Sequence, residues 1–187
     1  MSLRSIAVVV LSNSGEEGPR ALRATLISSV TPDRAHIAHS ILLNMRYAKN
    51  ITPGLLRSLL SVAQDVENAL PTDYRIIAID SLTYIATRPE MKNCIYIVSE
   101  IITTFDNVFL HNPGRVRQHV SYGFSDIANV YPDQVKHISP KVNVLMEEIE
   151  AEKKSFDDYL CSSSFINPEV EMYHRNRLDM LWSKPID

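Results

Sequence analysis

The chain has 187 residues, of which 45% are hydrophobic and 22% charged. That length supports one substantial core or one short solenoid, and that apolar content is too high for an intrinsically disordered chain. The net charge of −3 does not point to a nucleic-acid protein, and five glycines leave little material for a Gly-rich nucleotide loop.

The charge is unevenly spread. Residues 1–141 carry 14 basic and 12 acidic side chains, a net of +2, whereas residues 142–187 carry 5 and 10, a net of −5. Cys94 and Cys161 form no short-range motif; Cys94 reads as a small core residue, and a reducing compartment fits better than a disulfide. No apolar run reaches the roughly 18 residues of a membrane-spanning helix. Ser5 to Leu11 is too short and too weakly flanked for a secretory signal. A cytoplasmic, membrane-free protein is the expectation.

Leu3, Ile6, Ala7, Val10 and Leu11 follow the spacing of one helix face. Ile6 to Leu11 is also β-branched enough for a strand, but a short capping helix is the preferred reading. Ser12 to Gly18 reads as a loop, with Pro19 in the first turn of a helix that runs to about Val30. Thr31-Pro32-Asp33 breaks the chain, and a third helix over 33–49 is expected to bury Ile37, Ala38, Ile41, Leu42 and Met45. Asn50 to Gly54 ends it. A fourth helix uses Leu56, Leu59, Leu60, Ala63, Val66 and Leu70, and Pro71-Thr72-Asp73 starts a fifth, to Ala86.

Residues 91–111 carry the cleanest period. Cys94, Ile97, Val98, Ile101, Ile102, Phe105, Val108 and Phe109 form a stripe wide enough to be buried. A strand over Cys94 to Ile102 is the alternative, and the length of the pattern decides for helix. After Asn112-Pro113-Gly114 a seventh helix carries Val116, Val120, Phe124 and Ile127, ending at Tyr131-Pro132. The eighth, about 135–155, has Val142, Leu145, Met146 and Ile149 on one side, with Glu147, Glu148, Glu150 and Glu152 solvated. Ser162-Ser163-Ser164 is a linker. Asn167-Pro168-Glu169 then starts a last helix, with Val170, Tyr173, Leu178, Leu181 and Trp182 on one face.

A phrase recurs about every forty residues. Asp33-Arg34-Ala35-His36-Ile37-Ala38 with Leu42 returns as Asp73-Tyr74-Arg75-Ile76-Ile77-Ala78 with Leu82, and then as Arg115-Val116-Arg117-Gln118-His119-Val120 with Phe124. Ala38, Ala78 and Val120 are separated by 40 and 42 residues. A fixed period of this size indicates stacked helical hairpins, each too small to bury its own apolar face.

The phrase resembles the second helix of HEAT repeats, in which an arginine is followed by a small apolar residue and then a leucine. Arg75, Ala78 and Leu82 match it, and Arg117, Val120 and Phe124 match with larger substitutions. The first copy departs, with Ala35 at the aligned position and Arg34 beside it. The resemblance covers about residues 19–150. It implies an all-α, right-handed solenoid of about four hairpins, HEAT-like or armadillo-like, acting as a protein-binding scaffold. It also implies a ladder of turn acids and helix arginines between repeats, with Asp73 and Arg75 as structural members. The whole chain reads as one domain: a cap over 1–18, repeats over 19–160, and a linker with an amphipathic helix over 161–187.

No hydrolase elbow, Walker loop, dinucleotide loop or zinc-ligand pair is present in the sequence. Asp33, His36 and His39 share a helix, but the third lies rotated away, so no metal site is expected, nor any other cofactor. His111, His119, His137 and His174 have no acidic or cysteine partner at a ligand spacing. No catalytic residue is assigned, and an enzyme with a site assembled from distant positions ranks third.

The leading expectation is a non-catalytic scaffold for a protein or peptide; the rival is a nucleic-acid binder. For the rival, Arg34, Arg46, Lys49, Arg57, Arg75, Arg88, Lys92, Arg115 and Arg117 could line one side of the stack, with Arg34, Arg75, Arg115 and Arg117 as the main contacts to nucleic acid or partner. Sparse aromatic residues argue against it. In the last helix, Tyr173, Leu178, Leu181 and Trp182 are candidate anchors, either on the chain's own body or on a partner or second copy.

Overall fold

A computed structural model describes residues 17–28, 40–48, 51–67, 69–162 and 166–186. The expected cap helix at 3–11, the Thr31-Pro32-Asp33 break, Arg34, His36, His39, Lys49 and the Ser163-Ser164 part of the linker lie outside these residues. The described residues contain helices and no strand. They are α1 (Glu17–Ser28), α2 (residues 40–46), α3 (Pro53–Gln64), α4 (Thr72–Ala86), α5 (Ile95–His111), α6 (Arg115–Val130), the single turn α7 (Pro132–Val135), α8 (Pro140–Ser162) and α9 (Pro168–Ser183). A 3₁₀ segment, Pro89–Asn93, leads into α5. None of the described helices is long and apolar enough to cross a membrane.

Helix α1 already includes Glu17 and Gly18, the end of the expected loop, and the Glu17 carboxylate lies in its electropositive first turn. In α3, the Thr52 hydroxyl accepts the Leu55 N–H at 3.2 Å, and Pro53 occupies the first turn, where no backbone donor is needed. The helix stops at Gln64, well before the expected Leu70. Asp65 adopts a left-handed conformation, φ 36°, and its carboxylate takes the N–H groups of Ala69 (3.3 Å) and Leu70 (2.9 Å). A side chain that satisfies nearby backbone donors offers the chain an alternative to another helical turn. Val66 is therefore 84% exposed instead of being a core residue, while Leu70 is still buried, from the loop.

Helix α4 is buried on nearly every side, from Tyr74 through Ala86. It packs on α3 and α6, while α3 also packs on α1 and α5. Helix α5 buries the expected stripe from Ile97 to Phe109, with Cys94 half-buried just before it. Phe105 and Phe109 meet Phe124 of α6 at 5.9 and 6.3 Å between ring centroids. Val116, Val120, Phe124 and Ile127 are all buried. Helix α8 runs further than expected, through Ser162, the first serine of the expected linker.

Close packing between α4, α5 and α6 rests on Gly123. A Cβ at this position would lie 2.6 Å from Phe105 Cε2 and 2.6 Å from Thr83 Oγ1. Gly123→Ala would gain up to about 1 kcal/mol of helix propensity on an open surface. Here overpacking outweighs that gain, and we expect a net loss of about 1–3 kcal/mol in urea unfolding. A rise in stability would mean that α5 and α6 separate at no cost, contrary to this packing.

Candidate functional site

The two arginines that carry the repeat phrase point inward. Arg75 is 6% exposed; its Nε and Nη2 donate to the Ala63 carbonyl at 3.2 and 3.1 Å, and Nη2 also donates to Gln64 at 3.0 Å. Arg117 is 1% exposed and donates through Nε to Phe109 at 2.9 Å and through Nη2 to Leu110 at 3.5 Å. Each guanidinium thus caps the preceding helix, at the end where carbonyls lack partners and the dipole favours a cation. Arg117 reaches further, through Nη1, to the carbonyls of Trp182 (3.0 Å) and Lys184 (2.5 Å). Burial lowers both guanidinium pKa values; at Arg75 the Asp65 carboxylate acts in the opposite direction.

These positions correct the expected basic surface. Arg75 and Arg117 are consumed inside the protein, so neither presents a cation to a phosphate. Arg115 is exposed and meets Asp73 at 3.3 Å, with both side chains largely in solvent. Of the two residues expected in a ladder of turn acids and helix arginines, Asp73 meets Arg115, which links α4 to α6, whereas Arg75 bonds carbonyls. A second contact between these helices joins His119 Nδ1 to Asp80 Oδ1 at 3.0 Å. Arg57 and Lys92 are exposed, on different segments.

Arg46 and Arg88 meet at the ends of α2 and α4. Their guanidinium carbons lie 4.5 and 5.2 Å from the centroid of the Tyr84 ring. Tyr47 meets Tyr84 edge-on at 5.5 Å. Arg88 donates to the carbonyls of Ala48, at 2.7 Å, and Arg46. Tyr47 and Tyr84 are both exposed, and so is Tyr122 on α6, where Lys153 lies 5.0 Å from its ring.

The last helix docks on its own chain. Helix α9 packs on α8 and touches α6. Trp182 is buried, and Leu178 and Leu181 pack partly buried against the core. Tyr173 departs from the expected face: it is 56% exposed, and His174 takes the inner position. His174 stacks on Phe156 at 5.2 Å and its Nδ1 meets Glu152 Oε1 at 2.7 Å. Glu152, expected in solvent, also pairs with Arg177 at 3.3 Å. Asp80 and Glu152 are thus partners of His119 and His174 at separations of 39 and 22 residues, beyond any local ligand spacing.

Two clefts lie between α3 and α5. One, of about 220 Å³, is lined by Thr52, Leu56, Tyr96 and Glu100; the other, of about 270 Å³, by Gln64, Asp65, Asn107 and His111. In the second, Asp65 is already engaged by Arg23 and His111 by the Asn107 carbonyl. No group of three His, Cys, Asp or Glu residues placed to hold a metal occurs among the described residues. No protein-family model, curated protein or solved structure matches the chain.

Proposed function

We propose that the protein is a HEAT-like, right-handed helical solenoid that serves as a non-catalytic scaffold and binds a protein or peptide on the surface carried by α2, α4 and α6. The observation behind this reading is the set of exposed tyrosines, Tyr47, Tyr84 and Tyr122, beside cationic side chains. Tyrosine and arginine are the side chains most enriched where protein partners dock. The pairing of α3 with α1 and α5, and of α4 with α6, is the neighbour pattern that stacked hairpins produce. Two free cysteines, Cys94 and Cys161, fit a reducing cytoplasmic setting. A nucleic-acid surface is disfavoured because two of its four main arginines are buried and a third is paired with an acid.

The test places a photo-crosslinking amino acid at Tyr84 or Tyr122, and at the exposed Tyr96 of α5 as a control, in the producing cells. The expected result is discrete protein adducts from Tyr84 and Tyr122 and none from Tyr96. Adducts to nucleic acid, or the same adducts from all three positions, would overturn the reading.

A further inference from the structure

We infer that Arg46, Arg88, Tyr47 and Tyr84 form a binding site for a carboxylate side chain of an acidic peptide; this rests on the scaffold reading above and names the chemistry of the partner. Neither guanidinium has a carboxylate within ion-pair distance among the described residues, whereas Arg23, Arg115, Arg175 and Arg177 all have one. Two like charges share the Tyr84 ring, and no acid among the described residues offsets them. Arg88 spends donors on the Ala48 and Arg46 carbonyls, which fixes its plane. Among the described residues Arg46 makes no such bonds to carbonyls. Its Nε is buried and lacks a hydrogen-bond partner, while its guanidinium lies against Tyr84 and, at 5.7 Å, against Tyr47.

A guanidinium packed against two aromatic rings is partly pre-organised for a charge-assisted hydrogen bond to an anion, and less side-chain freedom remains to be lost when one binds. Tyr47, 63% exposed, supplies an apolar wall beside the charge, suited to a residue next to a glutamate or aspartate. The surroundings select a peptide over a nucleic-acid strand. A phosphate backbone needs a row of cations, and the next turns of α4 towards α6 instead present Asp80 with His119.

The experiment is fluorescence anisotropy with the full chain and three dye-labelled probes at low salt: an oligoglutamate peptide, an oligolysine peptide of equal length and an oligothymidylate. The expected result is binding of oligoglutamate alone, weakened about tenfold or more by Arg46→Met, the loss of a charge-assisted hydrogen bond. Arg46→Lys keeps the charge without the fork, so it should weaken binding by less, and it supplies the reading where Arg46→Met does not fold. No binding of oligoglutamate by the unaltered protein overturns the proposal. So does binding that these variants leave unchanged, or tighter binding of oligothymidylate that falls with the same variants. Protein adducts from Tyr122 without oligoglutamate binding would sink this site and leave the scaffold standing; loss of both would sink both.

Discussion

Replacing Asp65 by alanine costs about 3–5 kcal/mol of folding stability, the range for removing one partner of a buried ion pair. The carboxylate is fully buried, and its Oδ1 lies 2.7 Å from Arg23 Nη2 of α1. The same two oxygens accept the Ala69 and Leu70 N–H groups that close the turn into α4. Alanine therefore strips a partner from a largely buried guanidinium and orphans two backbone donors. It also forces a Cβ residue without a local hydrogen bond into the left-handed region at φ 36°. Among the described residues Arg23 retains only Glu67, at 3.2 Å and 77% exposed, which is a weak substitute in solvent.

Asp65→Asn separates these contributions. Asparagine tolerates the left-handed conformation and keeps one acceptor oxygen, but it carries no charge for Arg23. We expect it to lose less than the alanine variant in urea unfolding. A double-mutant cycle with Arg23→Ala then isolates the ion pair. A loss below about 1 kcal/mol for Asp65→Ala would place this carboxylate in the class of surface pairs, contrary to its burial.

Asp65 also shows where the sequence stops being legible. The period of Leu56, Leu59, Leu60 and Ala63 continues through Val66 and Leu70, so apolar spacing alone extends the helix to Leu70. What ends it is a carboxylate turning to accept N–H groups four and five residues on, and spacing does not encode that choice. Where apolar period and backbone geometry agree, as from Ile97 to Phe109, the helix and its buried face can be read directly.

The site was less legible than the fold, for a reason specific to charge. An arginine in a sequence looks like a surface cation, and Arg75 and Arg117 were natural choices for a phosphate-binding row. Their burial depends on the carbonyl ends of α3 and α5, which only the tertiary packing brings to them. His174 with Glu152 poses the same problem, because their contact requires α8 and α9 to pair. In α9, a face drawn from apolar residues alone includes Tyr173, but the ring of His174 fills the inner position against Phe156. The Arg46–Tyr84–Arg88 cluster brings together residues about forty apart, beyond anything local spacing encodes.

Arg117→Met should loosen the C-terminal helix before the rest of the protein unfolds. Methionine preserves much of the apolar stem and removes the fork. Four carbonyls then lose this donor: Phe109 and Leu110 at the end of α5, and Trp182 and Lys184 at the end of α9, of which Trp182 alone keeps a backbone partner among the described residues. Each buried acceptor left without a partner costs about 1–3 kcal/mol before relaxation. Water can reach the carbonyls near the chain end, so we expect a total of about 3–5 kcal/mol, a large share of a domain's margin. Gly114 N–H remains bonded to the Trp182 carbonyl at 2.8 Å and keeps part of the attachment. The single tryptophan makes the effect observable: Trp182 is 5% exposed, and its emission shifts to the red when α9 lifts away. The variant should show that shift at denaturant concentrations where helical circular dichroism is still largely native. Arg75→Met provides the contrast. It removes the equivalent cap from α3, where no C-terminal segment is attached, so it should lower overall stability without an early tryptophan transition. If Arg117→Met instead gives one transition by both probes at the unaltered midpoint, the guanidinium is not what ties α9 to the body.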